Sequence, residues 1–488
     1  MIDVTIAPSI SNLFSGDRLM SHPFFSFNRQ WRGKCFVCNQ DYPEYNTGKL
    51  LCEHCKGTYQ THPFFTEVSS KLHHYFATVL PETDVKKDLL LQNFSDTFLR
   101  KESGRKKWGK DVLKKSFPSL TPLPCGQPAL VKMDKLADFS GFKQVWTLDA
   151  SPYIWSGTYK DLRSLAILSK AIEHNIRHLA LWTAGNAGYS LAKMVHRHNA
   201  TVSDKSQRKT VYCLVGDFAP PEIVVTLRSL QCRVAPISTG KGAILSREHM
   251  YNVVASMAGD NISQEGYWQV TDGWDGIGTF MYSLLAQQAF YFLKSELEQS
   301  AELKSANIYI VLPLGTGNCL LGFIKAMNRV GEGRAKIISA MPYEDNMMSF
   351  LKEKTGEAIN GRTKMRRNEP EAEKLTGFYS PLSPCLYTLW QKSNPAKDGY
   401  DFSDFGQVEF VSVDRSEQIE AAARILGYSE FLVASEPSAL VSFGALKTLA
   451  EKVGDNLGNS VALVVNSGFG LMGIKEQEFF TKSIFAFR

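Results

Sequence analysis

Residues 154–167 read IWSGTYKDLRSLAI and set a lysine, Lys160, at the start of a helical pattern. Ser156, Gly157 and Thr158 supply turn and cap residues, and Leu162, Leu165, Ala166, Leu168 and Ile172 recur behind them at helical spacing. A cation is least favoured beside the positive partial charge of a helix N-terminus. An amine placed there suits chemistry that needs it without its proton, such as attack on a carbonyl carbon. Three further segments put glycine and polar residues at the ends of apolar runs. LWTAGNAGYSLA carries Thr183, Ala184, Gly185, Asn186, Ala187 and Gly188; VLPLGTGNCLLGF carries Gly315, Thr316, Gly317 and Asn318; LVVNSGFGLMG carries Ser467, Gly468 and Gly470. Glycine turns that open helices leave backbone N–H groups convergent, which suits a phosphate. Any one of these turns alone reads equally as tight packing. None has the GxGxxG spacing of a dinucleotide site, which speaks against NAD.

A second chemistry stands near the N-terminus. In CFVCNQDYPEYNTGKLLCEHC, Cys35 and Cys38 form one CxxC pair and Cys52 and Cys55 another, with thirteen residues between the pairs. That spacing matches two knuckles presenting four thiolates to one tetrahedral zinc ion. All four positions are filled by protein, so the zinc is read as structural. Cys125, Cys213, Cys232, Cys319 and Cys385 are scattered and read as buried small hydrophobes.

Positioning these residues requires a large fold. The chain has 488 residues, 44% hydrophobic and 21% charged, enough for a substantial core and more than one domain. From about 146 onward, strand-like runs (HLALWTA, TVYCLVG, CRVAPIS, NIYIVLPLG, AKIISAMPY, ALVVNSG) alternate with helix-like stretches (GYSLAKMVHRHN, PPEIVVTLRSLQ, AILSREHMYNVVASM, FMYSLLAQQAFYFLKSELE). The alternation predicts an α/β fold with parallel sheets and helices on both faces. Three regions follow: 1–65 with the cysteine cluster, 66–145 helical and polar with the linker-like end SFPSLTPLPCGQPALVKM, and 146–480 as two α/β subdomains. A charged stretch from Glu344 to about Tyr400 reads as an insertion.

The net charge of +6 is too small to argue for nucleic acid, and the basic stretch from Arg100 to Lys115 reads as a solvated face. No run of eighteen apolar residues argues for a membrane span, and no basic segment leads into an apolar stretch at the N-terminus. The expectation is a cytoplasmic protein.

Taken together and in order, SGTYKD, TAGNAG, LPLGTGN and NSGFG resemble the fold type II pyridoxal-phosphate (PLP) enzymes, with the tryptophan synthase β-like architecture. Within that family they are most similar to threonine synthase and cysteate synthase, some of which carry an N-terminal zinc ribbon. The resemblance runs from about 145 to 475. It implies that Lys160 holds the cofactor aldehyde as a Schiff base and acts as general base. It also implies that Asn186 bonds the ring oxygen and that Gly315, Thr316, Gly317 and Asn318 cradle the phosphate. Ser467 would meet the pyridine nitrogen, while Thr183, Ala184, Gly185 and Ala187 would receive the substrate carboxylate. Tyr189 and the stretch Asp272 to Phe280 would line the substrate side.

The substrate so implied is a small phosphorylated amino acid, O-phosphohomoserine or O-phosphoserine, whose phosphate is replaced, and the implied assembly is a homodimer. GTYKDL departs from the Lys-Asp-Arg-Gly form of threonine synthase and is closer to the GTFKEL style of cysteate synthase, as is DGWDGIGT. An ammonia-lyase or dehydratase would share the cofactor site and differ in leaving group. A non-catalytic protein built on the same fold, binding nucleic acid or protein through its zinc ribbon, is the alternative from another class.

Overall fold

The computed structural model describes residues 128–173, 175–183, 185–216, 221–237, 247–258, 262, 265–270, 276–315, 317–330, 333–342, 408–413, 417, 420, 421, 425, 435–471 and 478. The four cysteines of the CxxC pairs, the basic stretch, most of the 66–145 region and the Glu344 to Tyr400 stretch lie outside these residues, as do Ala184, Thr316 and Asp272 to Asp275.

Two sheets organise the chain. The larger has the strand order β1-β2-β10-β7-β8-β9, built from β1 (Ala129–Lys132), β2 (Gln144–Asp149), β7 (Asn307–Pro313), β8 (Ala335–Pro342), β9 (Val408–Val413) and β10 (Ser460–Asn466). All its pairings are parallel except β1 with β2. The smaller is wholly parallel, in the order β5-β4-β3-β6, from β3 (His178–Trp182), β4 (Thr210–Gly216), β5 (Arg233–Ile237) and β6 (Tyr267–Gln269). The helices that matter below are α1 (Asp134–Ser140), α2 (Lys160–Glu173), α3 (Asn186–Thr201), α4 (Pro221–Ser229), α5 (Arg247–Ala258), α6 (Gly276–Leu297), α7 (Asn318–Val330) and α8 (Pro437–Val453).

The central strands are apolar without interruption because both of their faces are covered. β10, SVALVVN, is buried at every residue. Its alternation sorts the side chains: Val461, Leu463 and Val465 join Ile308, Ile310 and Leu312 of β7 under α6 and α7, while Ala462 and Val464 join Tyr309 and Val311 under α8. The smaller sheet repeats the design. Leu179, Leu181, Val211, Cys213 and Val215 meet α2, α3 and α4, and Ala180, Tyr212 and Leu214 meet α5. Helix α6 serves both layers, with Met281 in the smaller core and Tyr282, Leu285 and Phe290 in the larger.

The strand-like and helix-like stretches expected from the sequence are found as β3, β4, β5, β7, β8 and β10 and as α3 to α6. The end of the linker-like arm forms β1, and α1 follows it, so both belong to the larger sheet's layer. Cys213, Cys232 and Cys319 are buried free thiols, and a hydrogen bond with the Cys232 thiol, with burial, pushes the Cys213 thiol well up. Among the described residues no helix is long and apolar enough to cross a membrane.

Candidate functional site

The four chemistry-bearing segments meet at the carboxyl ends of the strands, where open parallel sheets bind ligands. Lys160 follows β2 through the turn 151–159 and opens α2; Thr183 to Asn186 follow β3, Gly315 to Asn318 follow β7, and Ser467 to Gly470 follow β10.

The lysine turn is held by Asp161. One carboxylate oxygen accepts from the backbone N–H groups of Trp155 and Ser156 at 2.8 and 3.0 Å; the other accepts from the hydroxyls of Ser156 and Ser190, both at 2.6 Å. Burial pushes the Asp161 carboxyl up while those hydrogen bonds pull it down. Thr158 Oγ1 shares a 2.8 Å hydrogen bond with Ser156 Oγ and accepts from the Lys160 N–H at 3.2 Å, which caps α2. The Lys160 ammonium nitrogen lies 5.5 Å from the Tyr159 ring centroid and 6.0 Å from that of Tyr282. Those two buried rings meet edge to face at 5.0 Å and wall the amine.

This turn is sewn to the β10 turn by main-chain bonds. The Tyr159 N–H donates to the Ser467 carbonyl at 3.2 Å and the Phe469 N–H to the Gly157 carbonyl at 2.9 Å, forming a small antiparallel bridge between Thr158 and Gly468. Gly468 has φ +120°, and a Cβ there would overlap the Gly157 carbonyl. Only glycine permits that approach. Beneath it, Asn466 donates to Asp149 at the end of β2 at 2.7 Å and accepts from Ser435 at 3.0 Å. Burial pushes the Asp149 carboxyl up, against the hydrogen bonds from Ser151 and Asn466.

Asn186, the first residue of α3, is tied to the same turn. Its amide donates to both oxygens of Glu436, at 2.9 and 2.7 Å, and its carbonyl accepts from the Leu471 N–H at 2.7 Å. The Glu436 N–H in turn donates to Gly468 O at 3.0 Å. Thr183 closes the start of α3: its hydroxyl oxygen accepts from the N–H groups of Gly185 and Gly188, each at 3.0 Å. Tyr189 is half-buried with Lys193 Nζ 4.9 Å from its ring centroid.

The β7 turn reaches the lysine through α6. Gly317 has φ +93°, which turns the chain into α7, whose first turn holds no acidic residue. Asn318 begins that helix at 2% exposure, and a Cβ on Gly278 of α6 would overlap its amide and press on Arg163, one turn along α2 from Lys160. The Lys160 turn, the Ser467 turn and Asn186 thus belong to one continuous set of bonds, and Asn318 and Arg163 stand together beside Gly278. Glu436 is a member of that set that the sequence does not single out; it precedes Pro437 at the start of α8, and its carboxylate makes no bond to that helix's own N–H groups.

An amine between ring faces, a helix start without acidic residues behind a left-handed glycine, and a hydroxyl at Ser467 form a set that fits a phosphorylated aromatic aldehyde. The Asn186 amide is directed to Glu436 in this arrangement.

No protein-family model matches the sequence, and no curated protein matches it. Solved structures do. The chain is similar to diaminopropionate ammonia lyase from Escherichia coli in complex with an aminoacrylate-PLP azomethine reaction intermediate, at 15% identity and TM-score 0.52, over 83% of this chain and 93% of that one. It is similar to a pyridoxal 5'-phosphate-dependent aspartate racemase at 12% identity and TM-score 0.51, over 80% of this chain and 98% of that one. The chain therefore has the α/β fold of the fold type II PLP-dependent enzymes, with its two parallel sheets.

Proposed function

We propose that this chain is a PLP-dependent enzyme of amino-acid metabolism that replaces the phosphate of a phosphorylated amino acid, O-phosphohomoserine or O-phosphoserine, in the manner of threonine synthase or cysteate synthase. The observation that carries this reading is the stitching of the Lys160 turn to the Ser467 turn, with Asn186 held against the same segment. When bound, PLP supplies an electron sink that loosens a proton at the substrate α carbon and assists loss of a leaving group.

The chain's own residues supply the rest. Lys160 would hold the cofactor by its aldehyde carbon and its free amine would accept the α proton on Nζ, with the Tyr159 and Tyr282 rings beside the resulting ammonium. Backbone N–H groups of Gly315, Thr316, Gly317 and Asn318 hold the cofactor phosphate at the positive end of α7. Asn186 would bond the ring oxygen by turning one of its two amide hydrogens from Glu436 to the cofactor, the other staying on the carboxylate. Ser467 meets the pyridine nitrogen with a hydroxyl, which does not enforce protonation and so favours elimination and replacement over transamination. Thr183 Oγ1 engages the N–H groups of Gly185 and Gly188, so the carboxylate would lie on those of Asn186 and Ala187, with Ala184 alongside. Cys35, Cys38, Cys52 and Cys55 hold one structural zinc; chelation should remove it and leave the cofactor absorbance unchanged. The working unit is a homodimer, which sedimentation velocity tests.

The decisive experiment is spectroscopic and then enzymatic. Purified chain with PLP should show a visible band, and borohydride should fix the cofactor's mass on the Lys160 peptide, with no adduct in Lys160→Ala. Phosphate release is then assayed from O-phosphohomoserine, and from O-phosphoserine with and without sulfite. Pyruvate and ammonia formed from 2,3-diaminopropionate, with no phosphate release from either phosphorylated substrate, would move the assignment to an ammonia-lyase. A chain that stays colourless would remove the enzymatic reading altogether.

A further inference from the structure

At the opposite ends of the strands from Lys160, the smaller sheet opens on a second cavity, of about 320 Å³. Its floor is the first residues of β4 and β5, and its wall is the carboxyl half of α3. Arg177, Lys205, Arg208, Lys209 and Arg233 line it, with His196, and none of its fourteen lining residues is a carboxylate. Among the described residues, two carboxylates stand beside it and face other groups. Glu265 accepts from Arg177 at 2.8 Å and bonds His178 at 2.7 Å, and Asp204 accepts from the N–H and hydroxyl of Ser206 at 2.8 and 2.7 Å.

Three of these residues are tied down: Lys209 through its main chain, and Arg177 and Arg233 through their guanidinium groups. Asn199 of α3 clamps the main chain of Lys209 through both of its amide atoms, at 2.9 and 2.7 Å, and leaves that lysine 4% exposed. Arg233 donates to the Met257 carbonyl at 2.8 Å, and Arg177 is braced by Glu265. Burial, and then the nearby Arg177, push the Lys209 amine down; burial, and then Lys209, do the same to His198. Among the described residues, the charged neighbour acting on this buried lysine is another cation, Arg177, and not the counter-charge that normally accompanies one.

We propose that this cavity is a binding site for a small phosphorylated molecule, whose phosphate oxygens are received by Lys205, Arg208, Lys209 and Arg233. Its volume exceeds what one inorganic phosphate fills and falls at the lower end of small-molecule pockets, roughly 300 to 1,000 Å³. It is distinct from the glycine turns: β3 alone separates the two ends of the sheet by about 16 Å at ~3.3 Å per residue. A concave site with a buried lysine selects a compact anion over the backbone of a nucleic-acid strand, which rides on exposed ridges of charge.

The test is calorimetric titration of the full chain, saturated with PLP, with inorganic pyrophosphate and with ATP, at two salt concentrations. Wild type should bind at least one of them, more weakly at the higher salt. Lys205→Ala/Arg208→Ala, at two exposed positions, should keep the ligand-free melting temperature and weaken binding at least about tenfold. Lys209→Met should abolish binding and raise the ligand-free melting temperature. Failure of wild type to bind either probe at millimolar concentration would overturn the proposal. So would equal binding by the double variant, which would put the anion outside this cavity, or a lower melting temperature for Lys209→Met. Tight binding of a twelve-nucleotide single strand in place of both small probes would replace it with a nucleic-acid surface.

Discussion

Asn186 gives its side-chain amide to both oxygens of Glu436, at 2.9 and 2.7 Å, across 250 positions of sequence. The pair joins the start of α3 in the smaller-sheet layer to the start of α8 in the larger one. It is buried on both sides, and the third partner, the Leu471 N–H, occupies the remaining oxygen of the amide at 2.7 Å.

Removing the carboxylate leaves that amide buried with its donors unmet. Glu436→Ala should therefore cost about 1 to 3 kcal/mol of stability, the usual penalty for an orphaned buried donor. Glu436→Gln keeps an acceptor oxygen and should cost less. If Asn186 also sets the cofactor ring, Glu436→Ala should weaken PLP at least about tenfold. Urea unfolding without cofactor and PLP titration by absorbance read the two effects separately. Equal stability of Glu436→Ala and wild type would show that the pair contributes nothing.

Gly468 makes a sharper prediction. Its φ of +120° and the Gly157 carbonyl leave no volume for a Cβ, so Gly468→Ala must push the lysine turn away from β10. The expected result is a loss of borohydride-fixed cofactor on Lys160 together with a lower melting temperature. Gly458→Ala is the control: nothing lies within 4 Å of its Cβ position, and it should stay within about 0.5 kcal/mol of wild type. Full adduct formation by Gly468→Ala would show that the bridge does not position the lysine.

What could be read from the sequence follows from how local each signal is. β4 and β10 are legible because a strand buried on both faces is apolar through its middle, as VYCLV and VALVV are. Lys160, Asn186 and Gly317 stand between a strand and a helix and Ser467 at the turn after β10; one such turn alone reads as tight packing, and the four in order are what mark them as candidates. β6 has three residues, too few for any periodicity, and β9 follows a long charged stretch that masks it. α8 carries Ser438, Ser442 and Gly444 in its body, which blurs a helical pattern although the helix is buried along most of its length. Glu436 was beyond reach because its meaning lies in a partner 250 residues away.

Thr183 offers a test with a conservative pair. Its hydroxyl oxygen accepts from two N–H groups at the start of α3, the service of a helix cap. Thr183→Val keeps the shape and removes the acceptor, so it should cost about 1 to 2 kcal/mol. Thr183→Ser should recover most of that. If the substrate carboxylate lies on the adjacent N–H groups, Thr183→Val should raise KM more than it lowers kcat. Steady-state kinetics with whichever phosphorylated amino acid proves to release phosphate decides this, and an unchanged KM would separate the cap from the substrate.

Asp161 links the site to pH. Its carboxyl sits above the ordinary value of 3.8 because burial outweighs the four hydrogen bonds it accepts. Between 3.8 and that raised value the folded chain binds more protons than the unfolded chain, so stability falls as pH rises through this window and levels off above it. Asp149 is shifted in the same direction and adds to the slope. Asp161→Asn does not titrate, yet its oxygen can still accept from Trp155 and Ser156 while its amide meets the two serine hydroxyls. That variant should fold and show a shallower decline in urea stability between pH 4 and 7. Asp161→Ala removes the acceptor for two buried N–H groups and two hydroxyls at once, and at about 1 to 3 kcal/mol for each orphaned group it should be severely destabilised. An Asp161→Asn profile parallel to wild type would show that the carboxyl is ionised in both states, and that the lysine turn is held without the burial cost inferred here.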